Sequence, residues 1–492
     1  MQAKAVRAGQ NQPVIVWFRD DLRLGDNPAL DAAIRSGQPV VCAYVLDEES
    51  PEIRKLGGAA RWWLSRSLAA LDEALRSRGA RLVLRRGAAL DVVSGLAAEI
   101  GASTVFHNRR YDRSGIAIDN ALAAKLEAAG ISVETFQASL LFEPGNIQSK
   151  AGGPMRVFTP FWRAARSCPE PRPPLDVPKR INGMATVASE HLSEWALEPT
   201  APDWATGLRQ AWQPGEEGAH ARLAEFVDAR LSGYAMSRDR PDREQTSRLS
   251  PHLRFGEVSP FQLWHATRHA LEAPRDKRVS SIDLEKFLSE IGWREFSYHL
   301  LHQCPDLATQ NFQSRFDEFP WRTDETALRA WQAGKTGYPI VDAGMRQLWQ
   351  TGWMHNRVRM IVGSFLIKHL LIDWRRGEEW FWDTLVDADP ANNAASWQWV
   401  AGSGADAAPY FRIFNPILQG EKFDPEGDYV RRYVPELAGL SSDLIHKPWQ
   451  APPIMLATAG IELGMNYPCP IVDHAAARRR ALDAFARMTR SG

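Results

Sequence analysis

Cysteine is scarce in this sequence: four residues in 492, Cys42, Cys168, Cys304 and Cys469, lie far apart with no CxxC pair. That speaks against a zinc ribbon or a disulfide scaffold and suits a reducing compartment. Net charge is absent too, because Lys plus Arg and Asp plus Glu both total 59, for a formal charge of +0. No global field recruits nucleic acid, membrane or acidic partners, so any such site has to be a local patch. Long apolar runs are also missing. Val14 to Phe18 is followed at once by Arg19, Asp20 and Asp21, which does not suit a secretory signal. The stretch from Met360 to Asp373 is broken by Lys368 and His369, falls short of the roughly 20 residues of a membrane span, and reads as a buried helix. Internal repeats and low-complexity tracts are lacking as well. The expected setting is the cytoplasm, without membrane attachment.

What is present is apolar content of 44% with 24% charged residues, the balance of a globular protein of two or three domains with a sizeable core. Tryptophan stands out: 19 residues, nearly as many as the 20 Phe, of a type placed for packing, stacking or electronic purposes. The first third alternates continuous β-branched runs, Val14–Phe18, Val40–Val45, Arg81–Leu84, Thr104–His107 and Ser132–Phe136, with amphipathic stretches. Such runs fit strands buried on both faces, and the alternation predicts a parallel sheet flanked by helices. Asp26-Asn27-Pro28 reads as the cap and first turn of the first helix. The expected divisions are an α/β domain over 1–137, a proline-rich extended connector over 138–217, and an all-α domain over 218–492. The helical periodicity runs through Ala224–Leu231, Ile282–Leu301, Ala327–Trp331 and Met345–Leu371. Arg478, Arg479, Arg480, Arg487 and Arg490 make the last helix basic, which reads as a solvated face.

Four clusters in the helical region carry chemistry. Tyr234 and Arg238 precede Thr246-Ser247-Arg248-Leu249-Ser250-Pro251, which sets hydroxyls and N–H groups at a helix start where a phosphate could bind, although an ordinary cap explains it as well. Glu290 and Trp293 share a helix face and could grip a flat polar ligand, or be a solvated Glu beside a core Trp. Asn356 and Met360 are i, i+4 neighbours with Arg357 and Arg359 between them, poor core and good pocket lining. Finally, Asn393 lies one turn from Trp397 after Asp387 and Asp389, and with no His nearby these two carboxylates do not suggest a metal.

The segments Val14 to Asn27, Lys335 to Arg346, Gly352 to Arg357 and Asp387 to Trp399 resemble the photolyase/cryptochrome flavoprotein family, in order and over nearly the whole chain. The resemblance implies a fold class of α/β plus all-α: a parallel-sheet, Rossmann-like antenna domain joined by a long connector to a large helical FAD-binding domain. By the same resemblance, Tyr234, Thr246, Ser247, Leu249 and Ser250 surround the FAD phosphates and ribose, and Arg294 lies on the phosphate side. Asp389 stands at flavin N3, Asp387 pairs with Arg359, and Asn393 faces flavin N5. Plant-type cryptochromes place Asp there, so Asn favours a photolyase. Trp397, Trp374 and Trp321 match a three-indole electron chain, Trp321 only with a one-residue shift after Arg294. Trp380 and Trp382 either branch that chain or pack.

The substrate positions implied are Glu290 on the thymine edge of a cyclobutane pyrimidine dimer, Trp293 and Trp399 as an aromatic wall, and Asn356 and Met360 as the floor. A (6-4) photolyase would place His at the last two positions, and neither is His. Arg238, Arg357 and Arg412 match contacts to DNA phosphates. The activity expected is that of a deoxyribodipyrimidine photo-lyase acting on UV-damaged DNA as a monomer, with no obligate protein partner. A blue-light sensor of cryptochrome type is the alternative, and a light-independent nucleotide-binding protein leaves the helical clusters unexplained. A second chromophore is expected at Asn108-Arg109-Arg110-Tyr111-Asp112. Methenyltetrahydrofolate is preferred to a deazaflavin because Ala394–Leu437 resembles the bacterial class III branch, while Asp112 departs from the Glu of some folate-binding members.

Overall fold

The structure, a computed structural model, describes residues 12–149, 152–272, 279–410 and 412–491, and the Arg490 side chain lies outside the described set. Among the described residues no helix is long and apolar enough to cross a membrane. The chain forms two compact units. The first comprises 1–148, 163–228 and 247–276, and the second 149–162, 229–246 and 277–492. These divisions depart from the expected boundaries at 137 and 217, since the connector is shared between the units rather than standing apart from them.

The first unit is built on a parallel sheet of β1 (Val14–Phe18), β2 (Val40–Leu46), β3 (Leu82–Arg86), β4 (Thr104–Asn108) and β5 (Ser132–Phe136), in the order β3-β2-β1-β4-β5. Central β1 and β2 are buried throughout, as runs without polar alternation require, whereas edge strand β5 is largely open. Val14 sits opposite both Val40 and Thr104. Asn27 caps the Pro28–Arg35 helix by accepting from Leu30 N at 3.2 Å, with Pro28 in the first turn, where its missing N–H costs nothing. Ile15, Val41, Val83, Val105, Leu96 and Leu122 form the core between sheet and helices. The chain reverses its winding between β1 and β4, which leaves a crevice at the carboxyl ends of these two strands.

The stretch 138–217, expected to be extended throughout, contains helices at Phe158–Arg166 and Thr206–Ala211. Phe158, Phe161, Trp162 and Ala165 stand at i, i+3, i+4 and i+7, an apolar stripe concealed by the nearby prolines. In the second unit the expected run Met345–Leu371 is divided. Gly352, at φ 64°, closes the Pro339–Thr351 helix, and Asn356–Ser364 begins anew before a wider turn at Phe365–His369. The core there is aromatic, with Trp331, Phe365, Trp374, Trp397 and Tyr429 all buried. Lys368 and His369, which interrupt the apolar run, are buried with it, and burial aided by Arg412 pushes Lys368 down to about 7.

His107 of the first unit and His355 and His369 of the second are held neutral. Burial lowers them from 6.5 to about 3, about 4 and about 3, respectively, helped by Arg19 at His107 and by His474 at His369. A depressed histidine binds its proton more weakly when folded, so the unfolded chain takes up protons first. Their contribution to stability is therefore full above about pH 6.5 and is lost as the pH falls through about 4 for His355 and about 3 for His107 and His369, by up to about 1.4 kcal/mol per pH unit for each. Denaturant melts near neutrality and at about pH 5 should show this decline, and equal midpoints would contradict it.

Candidate functional site

The helices Trp374–Thr384 and Asn392–Ala401 of the second unit pack together around one amide. Asn393 Nδ2 donates to the Glu378 main-chain oxygen at 3.0 Å and to Glu378 Oε1 at 2.9 Å. A main-chain oxygen can only accept, so the NH₂ group has to face Glu378 and Oδ1 remains the outward acceptor. Asp389 sets the start of the second helix: its Oδ1 accepts from Ala391 N at 2.9 Å and Asn392 N at 2.7 Å, and its Oδ2 from the Tyr298 hydroxyl at 2.7 Å. Arg294 lies 5.1 Å from the centre of the same Tyr298 ring. Arg359 donates to both oxygens of Asp387, at 3.1 and 2.8 Å, and through Nε to Met354 O at 2.8 Å. The pair is neutral in sum and Asp387 is buried, so it can border a group whose charge changes without adding net charge.

Trp397 lies edge-on to Phe381 at 4.9 Å and to Trp331 at 6.2 Å between ring centres. Gly377 makes this possible, because a Cβ there would stand 2.1 Å from the Trp397 ring. Trp374, one turn before Gly377, is wholly buried and donates from Nε1 to Asn311 Oδ1 at 2.9 Å. Trp321 is half-buried, leans on Phe319 at 4.3 Å and packs against the core that contains Trp374 and Trp397. Trp382 is buried in that core, whereas Trp380 stacks on the exposed Trp349 at 6.1 Å and 5°.

A second cluster lies along the Ser281–Gln303 helix. Glu290 is ion-paired with Arg238 and, at 3.2 Å, with Lys286. Burial opposes the Arg238 charge, but Glu290 and its neighbours outweigh it and raise its pKa. The structure thus spends on Glu290 an arginine expected on DNA phosphate. Lys286 also borders a 440 Å³ concavity with Ala235, Ile282 and Glu285. Trp293 stacks on Phe158 at 3.8 Å and 8°, and Phe158 N donates to Asp406 Oδ2 at 3.0 Å. Trp399 is half-buried against the main core, Asn356 is exposed at the start of its helix, and Met360 is half-buried one turn later. Arg357 pairs with Asp239 at 2.8 Å, while Arg412 is exposed.

The remaining positions divide between the units. In the second, Tyr234 is buried edge-on to Phe287 at 5.6 Å and Thr246 is half-buried. In the first, Ser247 Oγ accepts from Leu249 N at 3.4 Å, and Ser250 opens a helix of only five residues, Ser250–Arg254, too short for much of the dipole expected of it. Also in the first unit, Asp112 is used as a cap, accepting from Gly115 N at 2.8 Å, and Arg109 pairs with Glu143 at 2.7 Å. Beside them, at the ends of β1 and β4, Trp17 Nε1, Arg19 Nε, His107 Nε2 and Arg110 Nε are buried without a hydrogen-bond partner among the described residues. His107 Nδ1 faces an Arg19 N–H at 2.9 Å and accepts, so its proton sits on the unpartnered Nε2.

Glu378, Tyr298, Phe158 and Asn311 escaped the reading of the sequence. Each acts across a gap that no local pattern spans, 15 residues for Glu378 and 63 for Asn311. A buried Asn beside a Trp-rich helix was the one available hint that a partner for its amide had to exist.

Comparison with known proteins matches residues 14–179 to the DNA photolyase domain and residues 287–487 to the FAD binding domain of DNA photolyase. The deoxyribodipyrimidine photo-lyase of Agrobacterium fabrum is 56% identical over 480 residues, covering 97% of this chain and 98% of that protein. Cryptochrome-1 of Arabidopsis thaliana is 41% identical over 488 residues, covering 96% of this chain and 70% of that protein. The crystal structure of a bacterial class III photolyase from Agrobacterium tumefaciens superposes with a TM-score of 0.95 at 55% identity, over 99% of this chain and 100% of that one.

Gly377→Ala should push Trp397 off its present position and destabilise the protein by about 1–3 kcal/mol, the usual range for an overpacked core. Denaturant melts measure this, and a midpoint equal to wild type would mean that the two helices do not depend on the missing Cβ.

Proposed function

The chain belongs to the photolyase/cryptochrome family, and from that premise we propose that it is a deoxyribodipyrimidine photo-lyase which uses blue light to split cyclobutane pyrimidine dimers in DNA. The observation that carries the reading is the amide of Asn393, clasped by Glu378 so that its oxygen points outward, one turn from the buried Trp397. FAD is the cofactor. The residues fit it: an outward acceptor amide, a neutral Arg359–Asp387 pair and a carboxylate fixed by Tyr298 are what a flavin ring's polar edge requires. Within the second unit, Tyr234, Thr246 and Arg294 hold the phosphate and ribose portion, and Arg359, Asp387, Asp389 and Asn393 hold the ring. Bound FAD supplies the light-excited electron that opens the two cyclobutane bonds and is then returned, with no net redox change.

The chain's own residues handle the lesion. A dimer pairs poorly and costs less to extrude from the duplex than an intact base, photolyases being among the enzymes that flip their target. Trp293, stiffened by Phe158, and Trp399 receive its apolar face, with Asn356 and Met360 below. Glu290, kept in place by Arg238, accepts from the thymine edge and so orients the dimer, while the Arg238 guanidinium beside it favours the negative charge that the transferred electron brings. Arg412, which is exposed, meets the flanking phosphates together with those N–H groups of Arg357 that Asp239 does not take, a local basic rim on a neutral protein. Trp397, Trp374 and Trp321 carry electrons inward to restore the reduced cofactor.

A folate, methenyltetrahydrofolate in preference to a deazaflavin, is the second chromophore. The four unpartnered N–H groups at the ends of β1 and β4 support a ligand rich in acceptors at the sheet's switch point, and the class III likeness favours the folate. The protein works in the cytoplasm on damaged DNA, as a monomer without an obligate protein partner.

Illumination of the FAD-loaded, photoreduced protein with a dimer-containing oligonucleotide should restore the thymines. Glu290→Ala should lower the repair rate by roughly tenfold to a hundredfold, the worth of a hydrogen bond to a charged group. Light-driven flavin reduction without repair would instead assign the chain to the cryptochrome-type sensors.

A further inference from the structure

Of the indoles assigned to the electron chain, two are buried and differ in one respect. Among the described residues no protein acceptor faces Trp397 Nε1, whereas Trp374 Nε1 donates to Asn311 Oδ1 at 2.9 Å. Asn311 is itself buried, and its Nδ2 donates to Asp317 Oδ1 at 2.7 Å. Asp317 is exposed, so the line runs from a sealed indole through one amide to a carboxylate at the surface. The Arg375 guanidinium, 4.8 Å from the centre of the Trp374 ring, opposes positive charge there. Its own charge is met by both oxygens of Asp373, at 3.2 and 3.0 Å.

We propose that Asn311, polarised by Asp317, is a positioning residue that makes Trp374 the easier of the two buried indoles to oxidise and keeps it from losing its proton. The inference rests on the assignment of Trp397 and Trp374 to the electron chain. When Trp374 passes an electron to oxidised Trp397, the indole becomes a cation and its N–H a far stronger donor. A hydrogen bond from a charged donor is about twice as strong as a neutral one, so the acceptor stabilises the product of the transfer more than its starting state. Trp397 receives no such help from any protein acceptor among the described residues. Positive charge therefore moves outward and is slow to return. An amide oxygen is too weak a base to take the indole proton, so only an electron moves and Trp374 stays a cation that Trp321 can reduce. A carboxylate in direct contact would take the proton and trap a neutral radical; the structure keeps Asp317 one amide away.

Flash excitation of the FAD-loaded, oxidised protein, followed by transient absorption of the indole radicals, tests this. Asn311→Leu should shorten the lifetime of the separated charges by roughly tenfold or more, the equilibrium lost with a hydrogen bond to a charged group. Asp317→Asn, a surface change that spares the core, should act in the same direction and less. Asn311→Asp should replace the cation spectrum at Trp374 with that of the neutral radical. Unchanged lifetimes in the Leu and Asn variants, or a cation that persists in Asn311→Asp, would overturn the proposal while leaving the electron chain intact. Trp374→Phe separates the two ideas, because flavin photoreduction that survives it would overturn the chain and this inference together.

Discussion

Two hydrogen bonds from a single NH₂ group hold the working part of the second unit together: Asn393 to the main-chain and side-chain oxygens of Glu378. They tie the Asn392–Ala401 helix to the Trp374–Thr384 helix at a point where neither donor nor acceptor has access to bulk water, so breaking them would leave buried polar groups unmet. From this clasp follow the orientation of Oδ1, the seat of Trp397 one turn on, and the need for Gly377 where that indole passes the opposing helix. Asp389, satisfied by main-chain N–H groups and by Tyr298, sets the entry of the same helix. The polar groups assigned to the flavin ring are thus oriented by the protein itself, which is the preorganisation that catalysis by electrostatics requires.

Tryptophan serves both packing and chemistry here. Trp331, Trp374 and Trp397 are all buried in the second unit's core, where each contributes a large apolar surface, and indole rings are at the same time oxidisable. Neutral overall charge hides a comparable economy among the ions. Arg238, Arg357 and Arg359 are each committed to a carboxylate, Glu290, Asp239 and Asp387, and so fix the carboxylate as much as the base. Arg412, which is exposed, stands apart from these fixed pairs.

Much of the fold was legible because its signals are local. The five strands announced themselves as short runs rich in β-branched and apolar residues; Val14–Phe18 and Ser132–Phe136 keep their expected bounds, and the other three end one or two residues later, as at Val40–Leu46 and Leu82–Arg86. Asn27 and Pro28 marked a helix start by chemistry that needs only neighbours. The Phe158–Arg166 helix was missed because proline frequency nearby outweighed a short apolar stripe. The candidate site was legible as residue types, and less so as partnerships. Nothing near Asn393 in sequence points to Glu378, nothing near Trp293 to Phe158, and the assignment of Arg238 to phosphate could not foresee that Glu290 would claim it. Such pairs are made by tertiary packing, and a one-dimensional pattern carries no register for them.

The orientation of Asn393 is the claim on which the rest turns, and infrared spectroscopy reaches it directly. Light-minus-dark difference spectra of the FAD-loaded protein, grown with asparagine isotope-labelled at the side-chain carbonyl, would isolate its band. With Oδ1 facing the cofactor, an isotope-sensitive carbonyl band moves to lower frequency on photoreduction, as Oδ1 takes up a new hydrogen bond, and vanishes in Asn393→Leu. Absence of that band, or its survival in Asn393→Leu, would contradict that orientation.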